Sequence, residues 1–148
     1  MRDALPRSQH CYVCGTDNPT AFKLAPHREG KKVVLAYTPA PGHRGFSNTI
    51  HGGVTATLLD EVIGHAAGIL AEGKAATVEL KITYKYPVRV GQAVRVEGWC
   101  HRRRGRYIYG QGRVLSLAPA DAGKVLAEGK GRFVVLDERL LGRFIGDR

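Results

Sequence analysis

The sequence predicts an α+β fold in which one antiparallel sheet curls around a single buried helix. Two patterns carry this. Residues 53–71 are apolar around most of a helical circumference, and the four segments after them change to period two with glycine-bearing separators. Size agrees, since 148 residues are one domain's worth of chain and enough to bury a core.

The first thirty residues (1–30) are rich in Pro, Asn, Gly and Asp and read as an irregular segment with turns. KKVVLAYTP (31–39) reads as the first strand, ended by Pro39 and Pro41, and APGHRGFSN (40–48) as a glycine-bearing loop. In the helix, Val54, Leu58, Leu59, Val62, Ile63, Ala66 and Leu70 fill a wide apolar arc. Thr57, Asp60, Glu61, Gly64, His65 and Gly68 occupy the remaining sector. A helix this apolar is one a sheet must wrap. Gly64 and Gly68 each cost roughly 1 kcal/mol of helix propensity relative to Ala. The expected compensation is close approach of a backbone or a ligand on the Asp60 side.

In ATVELKITYKYPV (76–88), Val78, Leu80, Ile82, Tyr84 and Tyr86 alternate with Thr77, Glu79, Lys81, Thr83 and Lys85. QAVRVEGWCHRRR, GRYIYGQGRVLSL and KVLAEGKGRFVVL follow as three more strands. The separators VRVGQ, RRRGR and APADAG read as hairpin turns.

The net charge of +10 calls for an anionic partner: nucleic acid, a membrane surface or a phosphorylated small molecule. No helix-turn-helix, aromatic RNA-binding signature or complete zinc finger is visible, so nucleic acid is not the expected partner. Apolar stretches fall short of the ~20 residues of a membrane span. The N-terminus lacks the apolar segment of a secretory signal, and a cytoplasmic location is expected. Cys11, Cys14 and Cys100 are an odd number and argue against a disulfide framework. Cys11-Tyr-Val-Cys14-Gly15 has the spacing of half a zinc site, which His10 or His27, or a second subunit's knuckle, could complete. The expectation is a tight turn with two reduced thiols and no cofactor or metal.

His51-Gly52-Gly53 stands where the helix begins. A helix N-terminus has N–H groups without intrahelical partners, and glycine lets a substrate atom approach them. Such a site can hold a carbonyl oxygen and stabilise an oxyanion; equally, Gly-Gly serves simply to turn the chain into the helix. Asp60 lies beside the apolar arc between small residues, with no Lys or Arg between Arg44 and Lys74. A carboxylate so placed suits a nucleophile or general base, or an exposed face or subunit contact. Glu61 can pair with His65 at i+4 and reads as supportive or exposed. One helix separates Gly52 from Asp60 by about 12 Å. If the two act on one reacting group, they must come from different chains, which requires at least a homodimer.

These residues resemble the hotdog-fold acyl-CoA thioesterases of the phenylacetate-pathway (PaaI-like) type. The resemblance rests on His51-Gly-Gly-Val54 with Asp60 nine after the His, and on TVELKITYKYPV (77–88). CYVCGTDNP (11–19) resembles the N-terminal signature of a subgroup with Cys-x-x-Cys-Gly, related to the mammalian thioesterase-superfamily proteins. Together the motifs span Cys11 to about Leu136. The resemblance implies a hotdog domain over 31–148, with five or six strands around the helix. It also implies a dimer with a continuous sheet, possible assembly to a tetramer, and an acyl-CoA substrate. Gly52 would then supply the oxyanion N–H, Asp60 act as nucleophile or base, His51 sit by the thioester carbonyl, and Thr77 orient the water or carboxylate. Gly53 and Asn48 would flank the substrate. Many relatives have Asn and Gly where this chain has Gly45 and Asn48. Coenzyme A phosphates give the basic surface a partner, with Arg89, Arg102, Arg103, Arg104, Arg106, Lys81 and Lys85 as candidates. Hydration or dehydration of an acyl thioester, and non-catalytic acyl-CoA or nucleic-acid binding, are the alternatives.

Overall fold

The computed structural model describes residues 2–145. Strands β1 (Arg2–Ala4), β2 (His27–Glu29) and β3 (Lys32–Tyr37) precede the long helix α1 (Gly52–Ala71). Strands β4 (Lys74–Tyr84), β5 (Val94–Arg104), β6 (Tyr107–Ser116) and β7 (Val125–Leu136) follow, then helix α2 (Glu138–Ile145). All pairings are antiparallel, in the order β1-β2-β3-β5-β6-β7-β4.

The helix and the five long strands form where apolarity and period place them. The sheet has seven strands rather than five or six. The extra pair comes from the segment expected to be irregular. β2 turns back onto β3 through Gly30, at φ 60°, pairing His27 with Val34 and Glu29 with Lys32. HRE carries no apolar alternation, so nothing in the sequence marks it as a strand.

A second difference concerns VRVGQ. It is not a hairpin, because β4 pairs with β7 and β5 pairs with β3. The segment crosses from one edge of the sheet toward the other, and its backbone bonds go to the loop before α1. Val88 carbonyl accepts from Ile50 N–H at 2.9 Å, and Val90 N–H donates to Asn48 carbonyl at 3.0 Å. That loop is thereby fixed against the sheet.

α1 lies across the sheet with Leu58, Leu59, Val62, Ile63 and Ala67 essentially removed from solvent. Ile63 sits over Gly98 and Gly110. A Cβ at Gly98 would fall 2.7 Å from the Val62 carbonyl carbon, and one at Gly110 would fall 2.6 Å from Ile63 Cγ2. Glycine here lets a helix backbone touch a sheet. α1 is 20 residues long with a mean hydropathy of 1.3, so by length and composition it would serve as a membrane span, contrary to expectation. In this fold its apolar face is instead the core against the sheet.

The opposite face of the sheet is polar and aromatic. Glu97, with a side chain only 6% exposed, accepts from Lys32 Nζ at 3.0 Å, Arg95 Nε at 2.9 Å and Arg113 Nε at 3.0 Å. Lys32 and Arg113 also lie over the Trp99 ring. Burial alone would raise the Glu97 carboxyl, but its three cationic donors outweigh that and hold it at about 2.

Candidate active site

The start of α1 is assembled by the loop before it. His51 N–H bonds the His43 carbonyl at 2.9 Å, and Gly45 N–H bonds the Thr49 carbonyl at 2.9 Å. A Cβ on Gly45 would meet His51 Cα at 2.8 Å, so the small residue is needed for this turn. His51 is extended (φ −62°, ψ 137°) and is the N-cap: its Nδ1 accepts from Gly53 N–H at 2.9 Å. A neutral imidazole that accepts at Nδ1 carries its proton on Nε2, so His51 keeps one donor to offer. Gly52 occupies the first helical position, where the N–H has no intrahelical acceptor. Its carbonyl accepts from the Tyr84 hydroxyl at 2.7 Å. Tyr84 appears in the sequence only as one of an alternating series, and nothing there signals this contact. Gly52 and Tyr84 line a cavity of about 290 Å³ with Ile50, Thr55 and Pro87.

Asp60 lies two turns further along α1 and opens elsewhere. Its Oδ1 accepts from the Thr77 hydroxyl at 2.8 Å. That contact depends on an irregularity in β4. Thr77 opposes Phe133 and Glu79 opposes Arg132, which leaves Val78 as an extra residue, 45% exposed. Strict alternation from Leu80 and Ile82 would turn Thr77 away from α1; the bulge at Val78 turns it back. Burial raises the Asp60 carboxyl, the Thr77 bond lowers it and the neighbouring Glu61 charge raises it again, and the net effect is upward. Among the described residues no cation pairs with Asp60. Asp60 and Thr77 line a second cavity, of about 910 Å³, together with Gly64, Gly68 and residues of the N-terminal segment. The small residues at 64 and 68 therefore border open space. Gly68 also admits the chain that ends the helix, since a Cβ there would lie 3.1 Å from the Gly73 carbonyl.

Glu61 points away from Asp60 toward His65 and Cys14. The expected i+4 pair is present, with His65 Nε2 3.1 Å from Glu61 Oε1. Glu61 is not an exposed residue, however: its side chain is only 12% accessible. Burial raises its carboxyl, and the bonds to His65 and Cys14 more than offset this, so the net effect is downward. Burial and the Glu61 carboxyl push the Cys14 thiol well up.

The basic candidates lie in two places. Arg89 forms a bridge with Thr49 beside the Gly52 cavity, and Lys81 and Lys85 are exposed on and just after β4. Arg102, Arg103, Arg104 and Arg106 cluster at the β5–β6 turn, near the far end of α1, where Arg103 Nη1 donates to Leu70 carbonyl at 3.4 Å. Arg102 stacks on Tyr109 at 4.7 Å. Asn48 is exposed and held through its carbonyl, and Gly53 faces solvent at the helix start. One chain thus holds Gly52 and Lys85 at one cavity and Asp60 and Thr77 at another, while His51, Gly53 and Arg89 are exposed beside the first.

A family model described as "Thioesterase superfamily" matches residues 47–129. Acyl-coenzyme A thioesterase 13 of Mus musculus is 30% identical over 106 residues, covering 68% of this chain and 70% of its own length. Acyl-coenzyme A thioesterase THEM4 of Bos taurus is 27% identical over 116 residues, covering 78% of this chain and 46% of its own. The chain thus spans about half the length of the bovine relative. Among solved structures, a thioesterase superfamily protein aligns with a TM-score of 0.75 at 25% identity, covering 85% of this chain and 60% of that one. Zebra fish thioesterase superfamily member 2 aligns at 0.71 and 22%, covering 82% and 90%.

Proposed function

This chain belongs to the thioesterase superfamily, and from that premise we propose that it hydrolyses an acyl-CoA thioester to a carboxylic acid and free CoA, at sites shared by two copies of the chain. The observation that carries the reading is the pairing of Asp60 with Thr77 at one cavity while the open N-terminus of the same helix faces another. Along one helix the two ends of the chemistry are about 12 Å apart, too far to serve one carbonyl. A second chain closes the gap if its α1 runs antiparallel to the first.

The sheet offers the edge for such a dimer. β4 is one of the two terminal strands and, at 11 residues, far longer than the 3-residue β1 at the other edge, with Val78 and Tyr84 exposed. An edge of that length and character invites pairing with a second copy.

In the completed site the thioester oxygen accepts from the Gly52 N–H at the positive end of α1, with the His51 Nε2–H as a second donor. Asp60 of the other chain either attacks the carbonyl carbon or takes a proton from a water that does. Thr77 holds the carboxylate in orientation through its hydroxyl. The C–S bond then breaks, and the CoA thiolate leaves and is protonated; where Asp60 itself attacks, a water then hydrolyses the acyl–Asp60 anhydride, which releases the carboxylic acid and restores the carboxylate. Arg89, whose backbone bridges Thr49 at the edge of the Gly52 cavity, and Lys85, which lines it, would then meet CoA phosphates, with the arginines of the β5–β6 turn as a second patch.

The test is free-thiol release from a panel of acyl-CoAs by wild type and Asp60→Asn. The proposal expects a fall of at least a hundredfold in kcat for the variant, in the range typical of losing a positioned proton acceptor. Equal rates for the two proteins would overturn it.

A further inference from the structure

We propose that Cys11, Cys14 and Glu61 form a site for one zinc-class divalent ion, which clamps the N-terminal segment to the middle of α1. The Cys11 and Cys14 sulfurs and a Glu61 carboxylate oxygen all lie within 4.8 Å of one another. This spacing suits ligands around a single tetrahedral ion.

The turn that presents the sulfurs is shaped for the task. Val13 N–H and Cys14 N–H both point at Cys11 Sγ, at 3.3 and 3.5 Å, and would stabilise a thiolate there. Gly15 N–H closes the turn onto the Cys11 carbonyl at 3.0 Å. A Cβ on Gly15 would lie 2.4 Å from that oxygen, so only glycine fits behind the second cysteine. Asp17 N–H bonds the Gln9 carbonyl at 2.9 Å and fixes the entry to the turn. The turn is held against the domain, with Val13 6% and Cys14 2% exposed and Leu5, Phe22 and Leu24 of the same segment packed on the core.

The third ligand is the one that sequence spacing could not supply. His27 Nε2 is engaged by Glu29 at 2.9 Å, and among the described residues His10 does not join the cluster. Glu61 comes from α1 instead, oriented by His65 at 3.1 Å in the manner of an outer-shell partner. Two thiolates and a carboxylate make a soft-to-borderline donor set that selects Zn²⁺ over Mg²⁺ or Ca²⁺. Both cysteines and Glu61 also line the cavity that contains Asp60 and Thr77. The ion would therefore fix one wall of that cavity and turn the Glu61 charge away from Asp60.

The readout is metal content, so it stands or falls separately from hydrolysis. Reduced full-length protein, stripped with a chelator and titrated with Co²⁺, should develop a thiolate-to-metal charge-transfer band that saturates at one ion per chain and is displaced by Zn²⁺. Glu61→Gln should weaken the metal tenfold or more. Cys11→Ser with Cys14→Ser should abolish the band, and Cys100→Ser should leave it intact. No band in the reduced wild type overturns the proposal without recourse to any variant. So does a band that survives the double cysteine substitution, and unchanged affinity in Glu61→Gln removes Glu61 from the site.

Discussion

Glu97→Gln should destabilise the protein by about 3 kcal/mol at neutral pH. The figure follows from the hold that Lys32, Arg95 and Arg113 have on the carboxylate, which takes it from 4.5 to about 2. Every tenfold change in a group's proton affinity corresponds to about 1.4 kcal/mol between its two protonation states. The side chain is only 6% exposed, so solvent screening does little to reduce the effect. The sign is fixed by the downward direction. A depressed carboxylate contributes its full stability above the unfolded value of 4.5 and loses it as pH falls toward about 2. Urea unfolding followed by Trp99, the sole tryptophan and a neighbour of two of these cations, should report it. At one protein concentration, wild type should lose stability steeply between pH 4.5 and 2, and Glu97→Gln should be flatter there. At neutral pH the variant should melt roughly 6–12 °C lower. A variant within about 1 kcal/mol of wild type at neutral pH, or an acid limb of unchanged slope, would refute the reasoning.

Thr77→Val should lower kcat by roughly tenfold to a hundredfold with KM nearly unchanged, because it deletes one hydrogen bond to a charged group; steady-state kinetics checks this. Gly98→Ala should cost about 1–3 kcal/mol in urea unfolding, since the new methyl meets the α1 backbone rather than a side chain that can swing aside. Arg89→Ala should raise KM for an acyl-CoA about tenfold and weaken its salt dependence while leaving kcat in place.

Much of this was legible in the chain. The apolar run 53–71, the segment KKVVLAYTP and the four period-two segments after Gly73 specified α1 and the five long strands, because burial on one or all sides leaves a periodic imprint. The partner of each strand left no such imprint: VRVGQ reads like a hairpin turn, and only the pairing of β4 with β7 shows it to be a crossing. The bulge at Val78 is equally silent. A single extra residue inverts the facing of Thr77 without disturbing the alternation around it. Asp60 was conspicuous as a carboxylate without a cation. Glu61 was not, because its closeness to Cys14 depends on how residues 5–14 fold back onto α1. Tyr84 meets Gly52 across 32 positions, and local pattern carries no record of such a contact.

The central claim is that each site takes Gly52 from one chain and Asp60 from the other. It is tested most directly by combining two crippled chains. Asp60→Asn removes the carboxylate. Gly52→Pro removes the N–H at a helix position where proline is tolerated, after a residue, His51, already extended as proline requires. A heterodimer isolated with two different affinity tags then has one site lacking both groups and one site with neither lesion. Its specific activity toward an acyl-CoA should be about half that of wild type, although each parent alone is inactive. A heterodimer as inactive as its parents would contradict the account.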